Sequence, residues 1–239
     1  MKTNRLDFPQ TCPPYSNLVL AIPHAAGSAS DVEWTSETCV AKFRDRWTDW
    51  DTDKLFLVKM KNVAVVSCAM SRIDVDVERL ENEDDRLCNY RHISKTKRLP
   101  SHSQWNRRLA EWFRYREELM LAASNGERPL ILDCHSFPSD LANDVDICIG
   151  FNTDDTKPSD TTINTVSKTF RAAGYSVAYN HPYSNTIAPF GYRGHSLMIE
   201  VSKKCYLDSD EKHIGNGFDK LHQTLASVYR LLLRTSSIR

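Results

Sequence analysis

The sequence has few of the residues that interrupt regular structure. Of its 239 residues, 8 are glycine and 10 are proline. That excludes a collagen-like repeat and a linker-dominated chain. No apolar run approaches the ~18 residues of a membrane span. The longest stretches, such as Leu18–Pro23 and Leu197–Ile199, have the length of strands. Met1–Asn17 lacks a long apolar segment, so no signal peptide is expected. Charge of one sign is missing too: 31 Lys and Arg balance 31 Asp and Glu. A broad nucleic-acid footprint needs clustered positive excess, so no nucleic-acid partner is expected. The seven cysteines are odd in number and contain no CxxC pair. This speaks against a disulfide framework or a cysteine zinc knuckle and for a reduced, cytoplasmic protein. No glycine-rich phosphate loop occurs, and Ser136 lacks the GxSxG surroundings of a serine hydrolase.

What is present suits a soluble domain with a full core: 41% apolar and 26% charged residues. Short apolar runs alternate with segments of helical spacing. Leu18–Ile22, Asn62–Cys68, Pro129–Asp133, Val145–Phe151, Ser176–Tyr179 and His195–Val201 read as strands. Asp53–Met60, Ser101–Asn125, Thr161–Ala173 and Gly217–Leu233 read as helices, with Gly126 and Gly174 near helix ends. The alternation predicts one α/β domain over 1–239, an α/β sandwich on a largely parallel or mixed central sheet. The polar stretch Glu81–Ser103 is the expected long loop.

In open α/β sheets ligands bind beyond the carboxyl ends of the strands. Three strand ends here carry polar chemistry. Leu18–Pro23 runs into His24, Leu130–Leu132 into Asp133-Cys134-His135-Ser136, and Leu197–Ile199 into Glu200. Imidazole is a favoured zinc ligand, and catalytic zinc takes three protein ligands. Asp133 and His135 share one side of an extended segment, so Asp133 can fix the tautomer of His135. Asp49-Trp50-Asp51-Thr52-Asp53 clusters carboxylates before a helix, which alone is capping chemistry. In Ser71–Arg79, period-2 alternation puts Arg72, Asp74, Asp76 and Glu78 on one face and Ile73, Val75 and Val77 on the other. That is the pattern of a half-exposed strand.

These pieces occur in a recognisable order: Pro23-His24-Ala25-Ala26-Gly27, Asp49 to Phe56, Ser71-Arg72 with Asp74 to Arg79, Asp133 to Ser136, Asp146 to Gly150, Pro182-Tyr183-Ser184 and Leu197 to Val201. Together they resemble the N-formylglutamate amidohydrolase family, a relative of zinc carboxypeptidases and aspartoacylases. The resemblance spans about residues 18–206. It implies a three-layer αβα sandwich with a mixed central sheet, a zinc-carboxypeptidase-like fold, and one zinc ion. His24 and His135 match the ligating histidines. Asp53 is the expected carboxylate ligand, with Asp49 and Asp51 in reserve. Glu200 matches the general base, and Arg72 the arginine that stabilises the oxyanion. Arg79 matches the arginine that holds a substrate carboxylate, with Glu78 and Tyr183 on the substrate side.

The chain departs from the family where Glu78 stands for the usual Asn and Asn185 for a frequent Gly. Asn donates to a carboxylate whereas ionised Glu repels one, which puts formylglutamate itself in question as the substrate. The implied activity is metal-dependent hydrolysis of an N-acylated amino acid. A carboxypeptidase or other peptide amidase, and a metal-binding protein without catalysis, are the alternatives. The implied partner is a small molecule or peptide bearing a carboxylate.

Overall fold

The computed structural model describes residues 16–27, 37–79, 100–125 and 128–236. Most of the expected Glu81–Ser103 loop lies outside them. The elements run β1 (Leu18–Ile22), α1 (Glu37–Trp47), α2 (Thr52–Leu55), β2 (Val63–Ser67), α3 (His102–Ser124), β3 (Leu130–Phe137), β4 (Ile147–Gly150), α4 (Asp160–Ala172), β5 (Val177–Tyr179), β6 (Ser196–Ser202) and α5 (Phe218–Ser236). No helix among the described residues is long and apolar enough to cross a membrane.

The six strands are ordered β2-β1-β3-β6-β4-β5. All neighbouring pairs are parallel except β4 against β6. Strands buried on both faces read as continuous apolar runs, and β1 is buried at every position. Its side chains divide by parity. Leu18, Leu20 and Ile22 join Leu132, Ile199 and the apolar stripes of α4 and α5 in one core. Val19 and Ala21 join Ile131 and the Trp112, Tyr115 and Leu119 side of α3 in another. Helices therefore cover both faces of a mixed sheet, as the alternation predicted.

Three local features differ from the sequence reading. Helix α1 was not anticipated. Within its residues 40–47 only Val40 is fully buried, so no apolar stripe announces it. Its C-terminal end is held instead by the buried ammonium of Lys203, which donates to the carbonyl of Arg46 at 2.5 Å. Strand β3 continues to Phe137 because β6 continues beside it, pairing Phe137 with Ser202. His135 thus lies within the strand rather than after it. Residues 71–79 form turns, not a strand. Ile73, Val75 and Val77 are buried, but so are Asp74 and Asp76. The alternation was real, yet neither row of side chains faces water.

Candidate functional site

The parity that builds the two cores also aims the site. On β3, Asp133 and His135 follow Ile131 onto the sheet face opposite α4 and α5. On β6, Glu200 falls on that same face and pairs in register with His135. His24 emerges two residues beyond β1, the strand beside β3. The three strand ends picked out in the sequence therefore meet at one end of the sheet. They border a cavity of about 350 Å³ that is also lined by Asp49, Arg72 and Glu78. Its far wall is the segment from Tyr183 to Ile187.

The two imidazole rings are nearly buried, with centroids 5.2 Å apart. Each ring has a carboxylate on its Nε2: Asp76 Oδ1 at 3.0 Å from His24, and Asp133 Oδ1 at 2.9 Å from His135. An ionised carboxylate can only accept, so with Asp76 and Asp133 ionised Nε2 carries a proton in both rings. The Nδ1 atoms both look toward Asp49. Its Oδ2 lies 3.3 Å from His135 Nδ1 and 3.9 Å from His24 Nδ1. His24 Nδ1 is buried with no hydrogen-bond partner among the described residues, as is Glu200 Oε2. Glu78 approaches from the other side, 3.2 Å from His135 Nε2 and 3.5 Å from His24 Nε2. Among the described residues, His24, Glu78 and His135 are the group whose ligand atoms all fall within 4.8 Å of one another.

Charge accumulates here. Asp49, Asp76, Glu78, Asp133 and Glu200 surround the two histidines. Burial pushes the Glu200 carboxyl up to about 8, with Asp49 and Glu78 adding to the shift. Burial also raises Asp133, against the pull of His135. Glu78 goes the other way. Burial would raise it, but His135 and His24 outweigh that and bring it down to about 2. His135 is held well above the ordinary imidazole range, since Glu78 and Asp133 overcome its burial. Arg72 is partly buried, and Asp76 and Asp49 raise it against the cost of desolvation. A pocket this acidic is one that a cation would relieve.

Of the three carboxylates clustered before α2, only Asp49 turns inward. Asp51 has a left-handed backbone, φ 56°, and pairs with Lys54. Asp53, the expected metal ligand, sits in the first turn of α2 with its Oδ1 accepting from the Lys54 amide. It neither lines the cavity nor joins the histidine group. Arg72 does line the cavity, and donates to the Trp47 carbonyl at 3.2 Å and to Asp76 Oδ2 at 3.5 Å. Arg79 is not among the lining residues, and its Nε lies 3.4 Å from Asp76 Oδ2. Tyr183 lines the cavity, and burial raises its hydroxyl. Sequence reasoning missed the carboxylate role of Asp76 and the wall residues Thr186 and Ile187. Asp76 was visible only as part of an alternating charged row, and Thr186 and Ile187 lie just past the Pro182-Tyr183-Ser184 piece with nothing of their own to mark them.

The sequence profile of the N-formylglutamate amidohydrolase family matches residues 16–207. The fold is similar to the crystal structure of N-formylglutamate amidohydrolase from Ralstonia eutropha JMP134. That likeness has a TM-score of 0.75 and 19% identity, over 93% of each chain. A gene product of Agrobacterium tumefaciens aligns with a TM-score of 0.65 and 16% identity, over 94% of this chain and 91% of that one. No protein of curated function matches the sequence.

Proposed function

Because the chain belongs to the N-formylglutamate amidohydrolase family, we propose that it hydrolyses the amide bond of an N-acylated amino acid at a bound zinc ion. The observation that carries the metal is the pair of buried imidazoles. Each has Nε2 committed to its own carboxylate, and both turn Nδ1 toward Asp49. Two ligands about 2.1 Å from a tetrahedral zinc stand roughly 3.4 Å apart. The separations from Asp49 Oδ2, 3.3 and 3.9 Å, are of that order. His24, His135 and Asp49 are therefore the proposed ligands, with Asp49 taking the place expected of Asp53. A second reading puts Glu78 in the set, on the opposite edge of the rings, and rests on its closeness to both Nε2 atoms. Asp49→Asn and Glu78→Gln separate the two, since only the true ligand's loss abolishes tight zinc binding.

Zinc in such a site polarises a carbonyl and lowers the pKa of water toward ~7. The chain supplies the rest. Glu200 presents a buried oxygen with no partner. It takes the proton of the attacking water and returns it to the leaving amine. Its raised pKa falls once positive charge occupies the neighbouring histidine site. Arg72 faces the cavity and stabilises the oxyanion, a role worth on the order of 10²–10³ in rate for one donor. Tyr183 contacts the substrate from the wall. Arg79, behind Asp76, is the proposed partner of the substrate carboxylate. A small N-acylated amino acid or short peptide is the proposed substrate, with cytoplasmic residence part of the same reading.

The test is metal content and hydrolysis of a panel of acylated amino acids. We expect one zinc per chain. Glu200→Gln should retain the zinc and lose 10²–10⁴-fold in rate. A chain that takes up no zinc, or a variant with wild-type turnover, defeats the reading.

A further inference from the structure

The cavity wall is not held by ordinary secondary structure. Tyr183 to Ile187 follow no helix or strand, and Asn185 has a left-handed backbone, φ 70°. Side chains pin the segment instead. Asn152 brackets Thr186, accepting from its amide at 3.1 Å and donating to its carbonyl at 3.2 Å. Ser196 donates to the carbonyl of Ile187 at 2.5 Å. The third pin is Asp133. Its Oδ2 accepts from the Ile187 amide at 2.9 Å and stands 3.4 Å from the Thr186 hydroxyl. Its Oδ1 meanwhile accepts from His135 Nε2 at 2.9 Å.

One buried carboxylate thus spans two structures that the proposed reaction needs together. We propose that Asp133 is a positioning residue that couples metal occupancy at His135 to the order of the Thr186–Ile187 wall, and so to substrate binding. This rests on the metal reading above. A cation drawing electron density from Nδ1 makes Nε2–H a stronger donor, which tightens its bond to Oδ1. The carboxylate is then fixed in the orientation that presents Oδ2 to the wall. Linkage makes the effect mutual: what orders the wall strengthens zinc binding by the same factor. Asn152 and Ser196 anchor the wall without a hydrogen bond to either histidine, so the coupling runs through Asp133.

The experiment uses the full chain stripped of metal, then titrated with zinc alone. The first readout is hydrogen exchange at the Ile187 amide in the wild-type protein. Zinc should slow it about tenfold, whereas equal exchange in both states with zinc demonstrably bound overturns the coupling. Failure to bind zinc at all defeats the metal reading itself, and this inference with it.

The second readout uses Asp133→Asn. An amide keeps one accepting oxygen and turns the other position into a donor, so it satisfies one arm only. Zinc affinity should fall 10–100-fold, and Ile187 exchange should no longer respond to zinc. A residue with a purely structural role would speed exchange in both states and leave their ratio intact, and that outcome overturns the proposal. If the variant does not fold, the wild-type exchange measurement still decides.

Discussion

Asp74 and Asp76 stand two residues apart in one run of turns and are equally buried, 3% and 4% exposed. Their surroundings differ completely. Asp74 meets the guanidinium of Arg108, which is 0% exposed on α3, at 2.9 Å. That pair faces the core between the turns and the helix. Asp76 meets His24 Nε2 at 3.0 Å, with Arg72 and Arg79 on its other oxygen. The first carboxylate ties a segment to the fold. The second orients a histidine of the site. Burial and charge alone do not separate a structural acid from a functional one; the partner does.

The largest effect should come from breaking the structural pair. Asp74→Asn takes away the carboxylate that faces the buried Arg108 guanidinium, a loss of up to about 3–5 kcal/mol. Denaturant unfolding should show this as a lower midpoint, while zinc affinity of the folded fraction stays near the wild-type value. Replacing both partners together, Asp74→Leu with Arg108→Met, should restore much of the stability, because well-packed apolar pairs often replace buried ion pairs without loss. A double variant no better than the single one would show that the turn needs the charge itself.

Asp76→Asn should reverse the profile. Its oxygen still accepts from His24, but the charge that steadies the ring is gone. We expect zinc affinity to fall 10–100-fold, the usual cost of removing a carboxylate behind a ligating histidine. Stability without metal should change less than in Asp74→Asn. Competition with a chelator reads the first quantity and thermal unfolding of the stripped protein reads the second. If Asp74→Asn weakens zinc binding as much as Asp76→Asn does, the division of labour is wrong.

The same pair shows what was legible in the sequence. His24, His135 and Glu200 were found because each follows an apolar run, and in a parallel sheet such runs end at the ligand-binding edge. The sheet and both helical layers followed from the same alternation. The turn from Ser71 to Arg79 misled because period-2 alternation assumes one solvent face. Here Val75 and Val77 pack against α3, Asp74 meets Arg108 of the same helix, and Arg72 and Glu78 line the cavity, so neither row is a solvent face. The carboxylate of the proposed metal site was hard to read for a subtler reason. Asp49, Asp51 and Asp53 are chemically alike and closely spaced, and only Asp49 lines the cavity, with a left-handed residue at Asp51 between it and the helix. Aspartate tolerates that conformation better than most residues, but no residue pattern announces it. Glycine at 150 is a similar case. A Cβ there would lie 2.6 Å from the Asn185 carbonyl oxygen and 2.4 Å from the end of Met198, so the wall's approach to β4 depends on a residue that looks unremarkable in the sequence.

The gentlest test of the contrast changes no residue, only pH. Glu200 holds its proton up to about 8 in the folded chain, against 4.5 for an ordinary glutamate. Between those values the folded chain binds a proton that the unfolded chain has released, so stability falls as pH rises. His135 acts in the same direction. Its pKa is raised well above 6.5, so its contribution is complete below 6.5 and is lost as pH climbs through the folded value. Glu78, brought down to about 2, contributes stability that is present above 4.5 and lost only in acid, outside this window. The stripped protein should therefore weaken steadily from pH 5 to 8, by about 1.4 kcal/mol per pH unit for each proton involved. Zinc competes with those protons, so the stabilisation it adds should grow over the same range. Thermal unfolding at each pH, with chelator and with excess zinc, gives both curves. In Glu200→Gln the first curve should flatten. In Asp74→Asn it should keep its slope at a lower level, since Asp74 belongs to the other half of the comparison. A stripped wild-type protein that gains stability between pH 5 and 8 would mean that the acids around the histidines do not carry the charge states assigned to them.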